Sequence, residues 1–196
     1  MNVINIYDNY ESNFINIYNF KNTIYSTKYK NKKFIIEPKI SFNNCSINNK
    51  NNIYSMRIEL DLKNIEHIQF KKFINNIYNE ISTCIELDNN IENVFQINNP
   101  LKSNSSNSYY LYVTINKSTK IINYENDEEI GLNDINNKLL VGYPIFYSPN
   151  INITNEIGYI NFSLYKLYVK IISDTNNTDI KYEPEKQNII NAMNKY

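Results

Sequence analysis

Apolar and polar residues alternate along much of this chain, between Asn-rich breaks, and one stretch carries helical spacing instead. In "YSMRIELDL" Tyr54, Met56, Ile58, Leu60 and Leu62 share one face, with Arg57, Glu59 and Asp61 opposite, which predicts a half-buried strand. "KFIIEPKISF" (33–42) sends Phe34, Ile36, Ile40 and Phe42 inward, with Pro38 marking an edge or a bulge. "YYLYVTI" (109–115) puts Leu111, Val113 and Ile115 inside and Tyr110, Tyr112 and Thr114 outside, and "GYPIFY" (142–147) adds a further strand. In "HIQFKKFINNIYNEI" (67–81) Phe70, Phe73, Ile74, Ile77, Tyr78 and Ile81 recur at three- and four-residue spacing, giving the apolar stripe of a helix. Weaker spacing of the same kind predicts a short helix within 13–27, and Pro184 opens a short terminal one. Residues 82–108 are mixed and end in a polar linker.

The run "GYINFSLYKLYVKII" (158–172) changes phase in its middle. Ile160, Phe162 and Leu164 alternate on one face, whereas Leu167, Val169 and Ile171 continue one residue out of step. A β-bulge near Tyr165 accounts for the slip, because one extra residue bends the strand and lets both apolar sets point inward. Small barrels need such bends to close. The outward set is then Tyr159, Asn161 and Ser163 before the bulge and Lys166, Tyr168 and Lys170 after it. Several strands, one or two helices and few glycines predict an α+β, mainly β chain: a small curved β-barrel or sheet with helical elaboration. One domain spans 1–196: an N-terminal helical and basic segment (1–30), a β-core (33–172) holding the helix 67–81, and a C-terminal tail (173–196).

Composition changes this picture in three ways. Asn, Ile, Lys and Tyr are over-used and all have AT-rich codons, so the 18 tyrosines count only where a pattern places them. With 3 glycines the chain offers no GxxxxGK[ST] or GxGxxG phosphate cradle, which argues against an NTPase or dinucleotide enzyme. The single histidine, His67, reads as a surface or helix-start residue; Cys45 and Cys84 lack a paired His, and Arg57 beside Glu59 and Asp61 favours a solvated face over a cation site. No catalytic signature, metal or cofactor is expected. Isolated cysteines indicate a reducing compartment, and neither a signal peptide nor an apolar run of ~18 residues is present, so a soluble chain with no membrane partner is expected.

Net charge is zero, but its distribution is uneven. Lys21, Lys28, Lys30, Lys32 and Lys33 fall between Glu11 and Glu37 with no acid among them, and acid collects in "YENDEEIGLND" (124–134). That segregation predicts one basic face with an acidic loop elsewhere. A face of alternating Lys and Tyr suits a non-specific single-strand binder, with lysines on phosphates and rings under bases. Tyr110, Tyr112 and Tyr143 (or Tyr147) extend it. An ordinary solvated strand in a Tyr- and Lys-biased chain is the competing reading.

"YSMRIELDL" leading into "FKKFINNIYNEI", and later "YPIFYSPN" followed by "GYINFSLYKLYVKII", resembles the poxvirus single-stranded DNA-binding protein family. The resemblance implies an OB-like curved β-barrel that coats single-stranded DNA during replication and recombination in cytoplasmic viral factories of the host. Further partners would be viral replication proteins and other copies along the strand. Phosphates would be held by Lys28, Lys30, Lys32, Lys33, Lys166 and Lys170, and bases by Tyr110, Tyr112, Tyr143 and Tyr168. Replication single-strand binders often end in an acidic tail, and this chain ends "EPEKQNIINAMNKY", which is not acidic. The alternative function is that of a viral structural or host-interaction β-domain without nucleic-acid binding.

Overall fold

Where the sequence alternates, strands form, and their register sets which side chains reach the core. The computed structural model describes residues 2–5, 15–21, 24–50, 53–87, 96–103, 108–136 and 138–172. In chain order the elements are β1 (Asn2–Asn5), β2 (Ile15–Lys21), β3 (Ile24–Tyr29), β4 (Phe34–Glu37), β5 (Phe42–Lys50) and β6 (Ile53–Leu60). The helix α1 (Ile65–Leu87) follows, then β7 (Gln96–Asn98), β8 (Leu101–Ser103), β9 (Tyr109–Ile115) and β10 (Lys120–Asn123). The short α2 (Leu132–Ile135), β11 (Leu139–Tyr147), β12 (Asn150–Thr154) and β13 (Ile157–Ile171) complete the described chain.

Five of these strands close on themselves in the order β5–β6–β9–β13–β11 and back to β5. The β9–β13 contact is parallel and the other four are antiparallel. A five-stranded closed barrel with this order is an OB-like barrel. Closure leaves the barrel itself without a free edge. The sheet continues outward from it in two directions: β4 and β1 lie beyond β11, and β12, β3 and β2 lie beyond the first half of β13. The 15-residue β13 therefore serves both the barrel and the outer sheet.

The phase slip in β13 is a bulge. Ile145 of β11 faces Lys166, but the next residue, Phe146, faces Leu164, so Tyr165 has no opposite number. Leu164, Leu167 and Val169 are all buried as a result, while Ile171 lies exposed at the strand end. The Thr119 hydroxyl donates to the Leu164 carbonyl at 2.9 Å and satisfies backbone that the bulge takes out of the ladder. On the neighbouring strand Gly142 sits where β11 pairs with both β5 and β13; a Cβ there would meet the Cys45 Sγ at 3.1 Å and Leu167 at 3.4 Å. Bulge and glycine together let the strands approach and close.

The predicted inward residues of 33–42 and 109–115 are buried, as are Met56, Ile58 and Leu60 of β6, whereas Tyr54 is half-buried and Leu62, also half-buried, lies past the strand end. Pro38 does break the first of these: β4 stops at Glu37, Lys39 is left-handed at φ 56°, and β5 begins at Phe42. The helix stripe is buried as spaced except for Tyr78, which is half-buried, and Phe70 packs edge-on to Phe42 and stacks at 6.0 Å on Phe146. α1 is longer than 67–81 and continues into the stretch read as mixed; the next part of that stretch supplies β7 and β8.

The helix expected within 13–27 is not there. Residues 15–21 and 24–29 form an antiparallel pair, β2 with β3, which joins the sheet through β12. β-branched Ile and Thr with aromatic Tyr suit a pleated surface better than a helix, and partners some 120 residues away supply the ladder that local spacing could not reveal. The expected terminal helix after Pro184 lies outside the described residues.

With 3 glycines in the chain, asparagine and its neighbours occupy the left-handed turn positions. Asn155 and Glu156 join β12 to β13 at φ 51° and 64°, and Lys30 and Asn31 follow β3 at φ 50° and 61°. In the latter turn Tyr29 and Lys32 exchange both backbone hydrogen bonds at 3.0 Å. This is the two-residue hairpin geometry that Asn-Gly normally supplies.

Candidate nucleic-acid interface

The outer face of β6 and β9 gathers a cation and two aromatic rings. Register places Arg57 opposite Tyr112, Glu59 opposite Tyr110 and Ser55 opposite Thr114. The Arg57 guanidinium carbon lies 4.6 Å from the Tyr110 ring centroid, and its Nη2 donates to the Glu59 carboxylate at 2.7 Å. Tyr110 and Tyr112 meet edge to face, with centroids 5.4 Å apart and planes at 79°. Tyr110 is half-buried and held; Tyr112 is 51% exposed. β8 adds Lys102 directly across from Tyr110, also exposed. An open ring beside a held ring, with two cations next to them, can stack a base and bind the phosphate that follows it.

The same face runs on through strand pairing. Thr114 neighbours Ser163, and Ser163, Asn161 and Tyr159 alternate outward along the first half of β13. Tyr159 is 39% exposed and sits opposite Asn152; Asn161 sits opposite Asn150. Across β12 come Ser26 and then Lys28 of β3, and beyond them Tyr18 and Asn16 of β2. Lys28 places its ammonium 4.0 Å above the Tyr18 ring, whose hydroxyl donates to Asn31 at 2.7 Å. The turn carrying Asn31 also exposes Lys30, Lys32 and Lys33. Lys28 thus occupies the outer end of the face that begins at Arg57, while in the turn beyond it the Lys30 ammonium lies 5.4 Å from the Tyr29 ring centroid.

Lys166, Tyr168 and Lys170 form a separate group. They follow the bulge, where β13 is flanked by β11 and β10 and β9 has ended. Lys166 donates to the Tyr168 hydroxyl at 2.8 Å and lies across from Lys120, while Lys170 pairs with Glu125 of the acidic segment at 3.2 Å. Tyr143, expected to offer its ring to a base, is covered instead. It is 7% exposed, with Tyr124 stacked on it at 5.0 Å, because the chain leaving β10 folds over β11. Tyr147 packs edge-on against the bulge residue Tyr165.

Arg57, Lys102 and Tyr18 are the members of the face that sequence reasoning did not take as binding residues, whereas Tyr159 is outward as its alternation predicts. Arg57 was visible as an outward residue, but its position over Tyr110 depends on a cross-strand register. Lys102 lies in a three-residue strand inside the expected linker, and Tyr18 in the segment with apparent helical spacing.

Two buried groups serve the barrel. His67 is 2% exposed, a correction to the expected surface residue although it does stand near the helix start. Its Nδ1 accepts from the Asp61 backbone N–H and its Nε2 donates to the Ser41 carbonyl, both at 2.9 Å, with the ring stacked on Phe42. Both nitrogens are committed to locking α1 onto the barrel end. Cys45 is fully buried next to Gly142, and burial pushes its thiol up to about 12.

No protein-family model matches the chain, and no curated protein does, so the poxvirus resemblance of the motifs gains no support from either. Solved structures are similar. The single-stranded DNA-binding protein from bacteriophage Enc34 matches at 12% identity and TM-score 0.45, covering 83% of this chain and 95% of that one. Its C-terminally truncated form matches at 12% identity and TM-score 0.48, covering 82% and 96%. The same phage protein in complex with single-stranded DNA matches at 11% identity and TM-score 0.46, covering 85% and 100%.

Proposed function

We propose that this chain binds single-stranded DNA with little sequence preference, holding it on the outer face of β6 and β9. One observation carries the reading: the exposed Tyr112 ring stands beside Tyr110 and Arg57 on the face of an OB-like barrel where oligonucleotides are held. Rings accept any base through its π-face, so stacking gives affinity without a code. Lys102 beside Tyr110, and Lys28, Lys30, Lys32 and Lys33 farther out, take phosphates. The group Lys166, Tyr168 and Lys170 lies off this path. It is about five residue rises, roughly 17 Å, along the strand direction from Tyr112, and its polar atoms are paired locally. The poxvirus-like motif order extends the proposal to a non-enzymatic role in viral replication and recombination in the host cytoplasm, beside replication proteins and further copies on the same strand.

Titration with oligo-dT, followed by tyrosine fluorescence since the chain has no Trp, tests this at two salt concentrations. Quenching at micromolar or tighter affinity is expected, weakening with salt at a log–log slope of about −0.7 per phosphate contacted. Absence of binding at low salt rejects the reading.

A further inference from the structure

We infer that the β2–β3 hairpin is a second single-strand subsite on the same face, so that one DNA strand runs from the barrel out across β13 and β12 to Tyr18 and Lys28. The inference rests on the proposed function and adds to it a site outside the five-stranded barrel. Parity carries the continuity: Tyr159 pairs with Asn152, Asn152 with Ile24, Ser26 with Tyr18, and Lys28 with Asn16, all on one side of the sheet. Three strand spacings and a two-residue offset separate Tyr159 from Tyr18, roughly 16 Å on a flat sheet. A few nucleotides span that distance.

The subsite has the parts that binding a strand needs. Tyr18 keeps 37% of its surface open, yet its hydroxyl is tied to Asn31, which also accepts from the Asn16 amide at 3.2 Å. The ring is therefore oriented before any base arrives. Lys28 rests 4.0 Å from the ring centroid, where a phosphate following a stacked base would find it. Asn31 reaches its position only because Lys30 and Asn31 are both left-handed without glycine, a backbone cost that persists where the surroundings hold it. Exposed Lys32 and Lys33 at the same turn add positive charge in a stretch with no acid between Glu11 and Glu37. Charge complementarity and continuity with the β9 face both select a polyanion with open bases as the occupant.

Strand length separates this subsite from the barrel face. Oligo-dT of about 6 and about 20 nucleotides bracket most of the ~4–16-nucleotide sites of single OB folds. The Tyr18→Ala, Lys28→Ala double variant should bind the long oligomer about tenfold more weakly than the parent and the short one equally well. Tyr110→Ala with Tyr112→Ala should weaken both. Lys32→Glu with Lys33→Glu, at exposed positions, guards against misfolding of the first variant and should lower the salt slope for the long oligomer alone. Equal losses on both lengths, or none on either, overturn the second subsite while leaving the barrel face standing. Failure of the parent protein to bind either length overturns both.

Discussion

Cys45 fills the tightest point of the barrel. Its Sγ lies 3.1 Å from where a Cβ on Gly142 would stand, and it donates weakly to the Phe42 carbonyl at 3.4 Å. Burial holds the thiol protonated up to about 12, whereas an exposed cysteine in the unfolded chain ionises near ~8.5. Between those values the unfolded state binds fewer protons than the folded one, so stability falls as pH rises, by at most about 1.4 kcal/mol per pH unit from this group. A Cys45→Ala protein shares every other ionisable group with the parent, so the comparison isolates this thiol. Urea midpoints measured from about pH 8 to pH 11 should therefore fall more steeply for the parent than for Cys45→Ala. Parallel curves refute the assignment. Burial of Cys45 was not readable from the sequence, since its neighbours "NNCSIN" look like a polar turn and β5 runs straight through them. The outward direction of Tyr110 and Tyr112 was readable, because Leu111, Val113 and Ile115 fix the parity of β9. The cation beside them was not, because only pairing with β6 brings Arg57 over Tyr110.

At the scale of the element, β13 shows how one residue sets a face. Tyr165 is the extra residue between Leu164 and Lys166, and it projects outward against Tyr147. Deleting it would leave Leu164, Lys166 and Leu167 in simple alternation, with Leu167 and Val169 still inward and only the bend lost. The deletion should therefore keep a cooperative thermal transition at a lowered temperature, whereas deleting Tyr168, which is paired on both sides, turns Val169 to solvent and Lys170 inward and should abolish it. Loss of the transition on deleting Tyr165, with the Tyr168 deletion tolerated as well or better, contradicts the bulge. This slip was legible because both halves lie in one uninterrupted run. The helix α1 was legible for the same reason, its stripe being local. β2 and β3 were not: their Ile, Tyr and Asn residues fit two periods about equally, and the partner that decides, β12, lies far along the chain. β7 and β8 are too short to show any period, and they exist because β9 and β13 diverge below Phe162 and leave room between them.

For the molecule as a whole, closure was foreseeable and its order was not. Five strands and a bulge suggest a barrel, but the parallel contact of β9 with β13 and the return of β11 to β5 are long-range pairings with no local signature. That order determines which tyrosines share a surface. It separates Lys166, Tyr168 and Lys170 from Tyr110 and Tyr112, although both groups sit on outward strand faces. Zero net charge is no obstacle to binding a polyanion, because Arg57, Lys102 and Lys28 share one face while Glu125, Glu128 and Glu129 lie together in the segment that follows β10. The most direct test is a comparison of oligo-dT affinity among three folded proteins: the parent, Tyr110→Ala with Tyr112→Ala, and Lys166→Glu with Lys170→Glu. Loss of two stacking rings should cost about 1–3 kcal/mol each, a weakening of tenfold or more, while the charge reversals at the far end of β13 should leave affinity within about twofold of the parent. The opposite ranking, with binding lost on charge reversal and kept without the two rings, would contradict the placement of DNA on the β6–β9 face.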